Sequence, residues 1–168
     1  MKPAGQVRFW MRIAPFLSAA LLFPWAESLA EEQSRYGGRL GFSASPDQLT
    51  LGAFLAFPEV NPSVRPRPSV DLGFGDDVVT VLINGDLEYG IRNTGINAMP
   101  FVGAGVALAL YKFDRVDPDA DETNWEVGIQ VYGGLEKDLG GYKTGLIELR
   151  VGFLDVPDLK ITAGMGFF

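Results

Sequence analysis

The side chains that could do chemistry in this sequence are carboxylates and basic groups, because its 168 residues include no His and no Cys. Without imidazole or thiol there is no Ser–His or Cys–His nucleophile, no cysteine zinc site and no disulfide. The charged residues that share a parity within alternating segments are Arg39, Asp71, Asp86, Glu88, Arg92, Glu126, Glu148, Arg150 and Lys160. Such residues could form an ion-pair network or supply carboxylate acid–base catalysis.

The elements that must position these residues are predicted to be strands. After residue 30 the apolar residues alternate with a period of two, and turn formers separate the alternating segments. Eight strands are expected, at roughly 35–44, 48–57, 65–75, 78–92, 97–111, 123–137, 142–154 and 158–168. Asn84-Gly85 could form a hairpin turn, but the apolar parity continues through it, which favours one long strand. The expected fold class is all-β, an eight-stranded antiparallel up-and-down barrel.

Two classes of β-barrel share this pattern and differ in whether the polar face of the sheet contacts the surrounding water or lines the interior. A soluble lipocalin-like barrel packs its apolar face inward, whereas a membrane barrel turns it outward. In "PFVGAGVALALY" the less apolar face carries Gly103, Gly105 and Ala107 and no charge, which is unusual for a water-facing sheet and suits a narrow lumen. The aliphatic parity of the later strands is also nearly free of charge. We therefore predict a transmembrane barrel whose lumen contains the nine charged residues, paired with one another.

The predicted turns also give a register for these strands. Folding the chain at "RNTG" places Asp86 near Gly103 and Asn84 near Gly105, and folding it at "DVPD" places Arg150 near Thr162. In "WEVGIQVYGGLE" the inward parity includes Glu126, Gln130 and Glu136.

The first thirty residues have the pattern of an export signal. A basic start is followed by the apolar run "IAPFLSAALLFPWA" and by "SLA", which fits a cleavage site after Ala30. A buried N-terminal helix is the alternative, although Pro15 and Pro24 disfavour it. We expect a signal peptide at 1–30 and one barrel domain at 31–168.

The mature chain resembles the small OmpA/OmpX-like outer-membrane β-barrels of bacteria over nearly all of residues 35–168. The stretches that carry the resemblance are "PSVDLGFGDDVVTVLINGDLEYGI", "PFVGAGVALAL", "GLIELRVGF" and the terminal phenylalanine. The resemblance implies location in the bacterial outer membrane, contact with outer-membrane lipid and lipopolysaccharide, and recognition of the C-terminal strand by the barrel-assembly machinery. Phe168 matches the family's terminal Phe, but the apolar parity runs back from Phe167. Both are expected to serve as assembly signal and interfacial anchor.

Three further patterns have plainer interpretations. Asp117, Asp119 and Asp121 have part of the spacing of a calcium loop, but Glu122 stands where that loop needs Gly, so a solvated outer loop at 114–122 is expected. "NPSVRPRPS" is predicted to be a stiff connection before the third strand. Aromatic residues near strand ends fit interfacial girdles: Tyr36, Phe57, Tyr89, Phe101, Tyr111, Trp125, Tyr142, Phe153, Phe167 and Phe168.

The expected function is that of a non-enzymatic envelope protein with a side-chain-filled lumen. No cofactor or metal is expected, the protein is expected to be a monomer, and the net charge of −7 argues against nucleic-acid binding. Two alternatives stay open: a soluble periplasmic ligand-binding barrel, and a lipid-modifying outer-membrane enzyme that would use carboxylates such as Asp86 or Glu126.

Overall fold

The computed structural model describes residues 34–61, 63–76, 78–92, 94–113 and 123–168. The predicted signal peptide and the acidic segment 114–122 lie outside these ranges. The described part of the chain contains no helix long and apolar enough to cross a membrane.

The described residues form nine strand segments. They are β1 Arg35–Ala44, β2 Gln48–Ala56, β3 Val64–Pro66, β4 Ser69–Phe74, β5 Val78–Gly90, β6 Met99–Phe113, β7 Thr123–Gly140, β8 Lys143–Leu154 and β9 Leu159–Phe167. β5 runs through Asn84-Gly85 without a turn, as its apolar parity predicted. All pairings between the segments are antiparallel, and most join segments that follow one another in the chain.

The sheet closes into a barrel. β1 pairs with β9, and β5 pairs with β6, so the sheet has no free edge between these segments. β3 and β4 pair with β5 in one continuous register, Pro66 opposite Leu87 and Ser69 opposite Asn84, and thus form a single interrupted strand. The nine segments therefore build eight barrel strands, which confirms the predicted fold class.

The barrel has two ends. The loop end is the end at which β1, β4, β6 and β8 finish, and the terminal end is the one at which β1 starts and β9 finishes. Near the loop end the β8–β9 connection turns into the lumen, where Val156 is buried in one cluster with Val78, Leu82 and Tyr111.

The apolar face points outward and the polar face inward. On β6, Val106 is 60% exposed, whereas on β1 Arg39 is 2% exposed. On β2 the pattern alternates strictly from buried Gln48 to buried Ala56. Apolar residues that are this exposed need a hydrocarbon environment, and polar residues that are this buried need partners inside. The predicted orientation, with the aliphatic face outside, is confirmed.

Two predicted registers are wrong by two residues. Asp86 lies opposite Gly105, not Gly103, and Asn84 lies opposite Ala107, not Gly105. The β5–β6 connection extends over 91–98 and is not a tight turn at 92–95, which moves the centre of the hairpin. Arg150 lies opposite Lys160, not Thr162, because the β8–β9 hairpin is centred on Asp155. Each side chain still points to the predicted side, because a shift of two preserves the parity.

The interrupted strand pairs unequally with its two neighbours. On the β2 side, Leu55 N donates to Pro68 O and Phe57 N to Pro66 O, both at 3.0 Å. Proline has no N–H, so neither pair can form the second bond of a regular antiparallel pair. On the β5 side, Arg67 N donates to Asp86 O at 2.8 Å. All the missing donors therefore face β2.

Candidate functional site

The candidate site is a network of buried charged and polar side chains in the lumen. Alternation places every second residue of each strand inside, and small residues on neighbouring strands leave room for the larger ones. A Cβ added at Gly103 would lie 2.3 Å from the Tyr132 ring, and one at Gly105 would lie 2.1 Å from Asp86 Oδ1. The glycines on the inward face of β6 therefore hold the space that Tyr132 and Asp86 occupy.

Glu148 on β8 is the centre of the network. Its Oε1 accepts hydrogen bonds from Arg39 Nη1 at 3.0 Å and from Arg150 Nε at 3.1 Å, and its Oε2 accepts one from Arg67 Nη1 at 2.9 Å. One carboxylate thus binds three guanidinium groups, which come from β1, from β8 itself and from the interruption between β3 and β4.

From Glu148 the contacts close into a ring around the lumen. Arg39 binds Asp71 with two bonds of 2.8 Å, and Arg150 Nη1 donates to Asp86 Oδ2 at 2.7 Å. Two amides complete the ring. Gln130 donates to Asp86 at 3.3 Å and to Asn84 at 2.7 Å, and Asn84 donates to Asp71 at 3.0 Å. Lys160 Nζ joins from β9, 2.6 Å from Asp71 Oδ2.

A second branch runs from Glu148 toward the terminal end. Arg67 binds Glu88 at 2.5 Å, Glu88 accepts from Arg65 Nε at 2.7 Å, and Arg65 binds Glu136. Arg35 at the mouth contacts the other oxygen of Glu136. The ion pairs are thus continuous from Lys160 to the terminal end.

Aromatic rings flank two guanidinium groups of the network. The Cζ of Arg67 lies 4.5 Å from the centre of the Phe54 ring, and that of Arg150 lies 4.2 Å from the Tyr132 ring. Such cation–π contacts stabilise a cation that has little water around it.

The charges of the buried network balance. Its cations are Arg39, Arg65, Arg67, Arg150 and Lys160, and its anions are Asp71, Asp86, Glu88, Glu136 and Glu148. Each cation has an anion within ion-pair distance, as a charge removed from water requires. With its carboxylates bound to cations in this way, the network is suited to filling the lumen.

Two residues predicted for the network lie elsewhere. Arg92 lies beyond the end of β5 at Gly90, its side chain is 55% exposed, and it pairs with Glu59. A hydrogen bond from the Ser63 N–H and the charge of Arg92 lower the pKa of Glu59. Glu126 lies near the loop end of β7, where it is half-buried and lines an end cavity. The structure places Arg39, Asp71, Asp86, Glu88, Glu148, Arg150 and Lys160 in the network.

Sequence reasoning missed Arg65 and Arg67. Their segment was predicted to be a stiff connection because of its prolines, yet both arginines share the inward parity of Ser69 and Asp71. That shared parity could have identified Arg65 and Arg67 as lumen residues from the sequence. Gln130 and Glu136 were assigned the inward parity of β7 but were not included in the network.

Two of the predicted girdle residues are also in the lumen. Phe101 and Tyr111 are buried on the inward face of β6, because they share the parity of Gly103 and Gly105. Phe167 points to the outer face, where its ring lies 5.9 Å from that of Tyr36. Phe168 lies at the terminal end under Arg35, whose Cζ is 4.4 Å from the ring centre.

Two cavities near the network lie at the two ends of the lumen. A cavity of about 310 Å³ at the terminal end is lined by Arg35, Met99, Glu136 and Phe168, among others. One of about 260 Å³ at the loop end is lined by Tyr111, Glu126, Val156 and Asp158, among others. Among the described residues, no group of three or more His, Cys, Asp or Glu side chains could hold a metal ion.

The glycines that make room for the network give a first prediction. We expect Gly105→Ala to lower the free energy of unfolding by about 1–3 kcal/mol, because the added Cβ would meet Asp86 and the carbonyl oxygen of Gly85, 2.5 Å away. Gly85→Ala on the outer face is the matched control, because its Cβ would meet only Val106 at 3.8 Å. Urea unfolding in lipid vesicles measures both, and equal stabilities would contradict the tight fit.

No family model and no curated protein matches the sequence. Solved structures do match. The N-terminal β-barrel domain of Pseudomonas aeruginosa OprF is 17% identical with a TM-score of 0.65, and the match covers 81% of this chain and 97% of that one. Neisserial surface protein A is 12% identical with a TM-score of 0.62, covering 80% and 94%. A de novo designed transmembrane β-barrel is 11% identical with a TM-score of 0.54, covering 81% and 98%.

These likenesses concern the fold, and they agree with the closed barrel, the apolar outer face and the charged lumen described above. The chain has the fold of the small, eight-stranded OmpA/OmpX-like outer-membrane β-barrels.

Proposed function

We propose that this protein is a non-enzymatic integral protein of the bacterial outer membrane, with a structural or envelope-associated role and a lumen closed by side chains. The observation that carries the proposal is the continuous ion-pair network inside a barrel whose outer face is aliphatic. A face with Leu40, Val106 and Ile129 half exposed or more suits acyl chains, whereas a soluble ligand-binding barrel would bury such residues.

The absence of catalysis is part of this proposal, and the surroundings of the two candidate carboxylates, Asp86 and Glu126, support it. Asp86 is buried and bound by Arg150 and Gln130, so it has no open space in which to meet a substrate. Glu126 is half-buried at a cavity but lacks a His or Cys partner, since the sequence has neither. Lipid A and phospholipid turnover, compared between the wild type and the Asp86→Asn and Glu126→Gln variants, would reveal a lipid-modifying activity.

We further propose how the protein reaches and contacts the membrane. Residues 1–30 direct export and are cleaved after Ala30, and the barrel inserts as a monomer in contact with outer-membrane lipid and lipopolysaccharide. The C-terminal strand is proposed to engage the barrel-assembly machinery through Phe167 and Phe168. The outward Phe167 beside Tyr36 and the contact of Phe168 with Arg35 at one end of the barrel support a role as interfacial anchors.

Fractionation combined with electrophoresis tests the central proposal. We expect the protein in the outer-membrane fraction, extracted only by detergent, with unheated and boiled samples migrating differently because a closed barrel resists detergent without heat. In planar bilayers the folded protein should give no steady conductance of the kind produced by open porins. Recovery in the soluble periplasmic fraction without detergent would refute the membrane proposal, and a stable open channel would refute the closed lumen.

A further inference from the structure

The β2–β3 seam, which joins β2 to β3 and to residues 67–68, differs from the seam on the other side of the same strand. The regular β2–β4 ladder ends at Phe54–Ser69, while β2 continues to pair with β1 as far as Ala56–Arg35. Beyond Phe54 the seam has one backbone bond at Leu55–Pro68 and one at Phe57–Pro66. Because Pro66 and Pro68 have no N–H, the carbonyl groups of Leu55 and Phe57 lose the donors that a regular ladder would supply.

The cost of these unpaired carbonyl groups depends on how deep in the membrane the seam lies. Leu55 and Pro68 are exposed on the outer face, and Leu55 lies opposite Tyr36, the aromatic residue that contacts Phe167 near the terminal end. In hydrocarbon an unpaired carbonyl has no alternative partner, whereas near the headgroups water can supply the bond. Because the seam lies near the terminal end, water that reaches it from the interface can donate hydrogen bonds to the carbonyl groups of Leu55 and Phe57.

The lumen behind the seam contains buried polar atoms that have no hydrogen-bond partner in the protein. Arg67, whose backbone lies at the interruption, is 2% exposed, and its Nη2 has no hydrogen-bond partner. The hydroxyl group of Tyr132, a ring near the Arg67 guanidinium, also lacks one. Buried polar atoms in folded proteins nearly always have a partner, often an ordered water.

From these two observations we propose that the barrel wall opens laterally at the β2–β3 seam, near the terminal end, and admits water from the membrane interface to Arg67. The opening separates β2 from the proline-containing strand, and that strand stays paired with β5 through the β3–β5 and β4–β5 ladders and the bond from Arg67 N to Asp86 O. The rest of the lumen keeps its ion pairs.

Backbone amide exchange tests the seam directly. Amides along a strand alternate in direction, so Leu55 and Phe57 donate across the seam, whereas Phe54 and Ala56 face β1. We expect Leu55 and Phe57 to exchange about 10-fold faster than Phe54 and Ala56 in detergent micelles, because each pair has lost one hydrogen bond. The double variant Pro66→Ala/Pro68→Ala restores both donors and should remove the difference. Pro100→Ala, on another seam, is the control and should leave it unchanged.

A labelling experiment tests whether the opening admits small molecules. The chain has no cysteine, so a thiol introduced by Ser69→Cys, inside the lumen at the seam, can be compared with one introduced by Thr162→Cys, inside on β9. We expect a small water-soluble thiol reagent to label the first about 10-fold faster, and the two alanines at 66 and 68 to abolish that advantage. Equal exchange at all four amides, or equal labelling of the two thiols, would overturn the proposal. Neither result would affect the proposed membrane location.

Discussion

Glu148→Gln is expected to lower the free energy of unfolding by about 3–5 kcal/mol, because it removes the anion at the centre of a buried network and leaves that network with one positive charge in excess. The amide keeps the shape of the carboxylate, so the loss would reflect charge rather than packing. Arg39, Arg67 and Arg150 all bind Glu148 in the wild type. Urea-induced unfolding in lipid vesicles, followed by tryptophan fluorescence, gives the difference.

Two further variants interpret that result. Glu59→Gln breaks the exposed pair with Arg92 and should cost about 0–1 kcal/mol, as surface ion pairs do. Adding Arg67→Met to Glu148→Gln restores the balance of charge in the network and should recover part of the loss. If Glu148→Gln were no more destabilising than Glu59→Gln, the network would not be contributing as the structure indicates.

Val106→Arg is expected to destabilise the protein in lipid by about 2–4 kcal/mol, because it places a guanidinium group against acyl chains near the middle of β6. Val102→Arg lies on the same face of the strand, opposite Tyr89, and should cost about 0–1 kcal/mol because its charge can reach the interface. Val106→Leu controls for the loss of valine. The same vesicle unfolding assay applies.

This prediction separates the membrane barrel from a water-soluble one. On a surface exposed to water, an arginine at position 106 would be nearly neutral, since Val106 is 60% exposed and packs against little. Equal stabilities of Val106→Arg and Val106→Leu would therefore contradict hydrocarbon contact at this face.

The sequence allowed the fold to be predicted because parity is robust. Val102, Ala104 and Val106 alternate with Gly103 and Gly105 whatever the register, so the outer and inner faces of β6 could be assigned without coordinates. Register was harder, because it depends on where a connection turns. The β5–β6 connection turns later than its "RNTG" signal, which moved Asp86 to Gly105.

The site was only partly predictable for a related reason. Prolines 66 and 68 have the local preferences of a connection, but the pairing of Pro66 and Arg67 with β5 keeps this segment in the barrel wall. Tertiary context thus overrode local propensity and brought Arg65 and Arg67 inside. Arg92 has the inward parity in the sequence, but it follows the end of β5, so the strand does not fix its direction and its side chain pairs with Glu59 instead.

The position of the balancing charges along the chain has a consequence for biogenesis. The last hairpin, β8 and β9, contributes Glu148, Arg150 and Lys160, while their partners Arg39, Arg67, Asp71 and Asp86 come from the part of the chain between β1 and β5. An open sheet that lacks this hairpin would hold three of the buried cations against four of the buried anions, with Asp86 left without its arginine, and a bilayer does not tolerate an unpaired buried charge. The buried charges are therefore neutralised only when the barrel closes. Insertion should be cooperative, without stable, partly assembled intermediates in the bilayer.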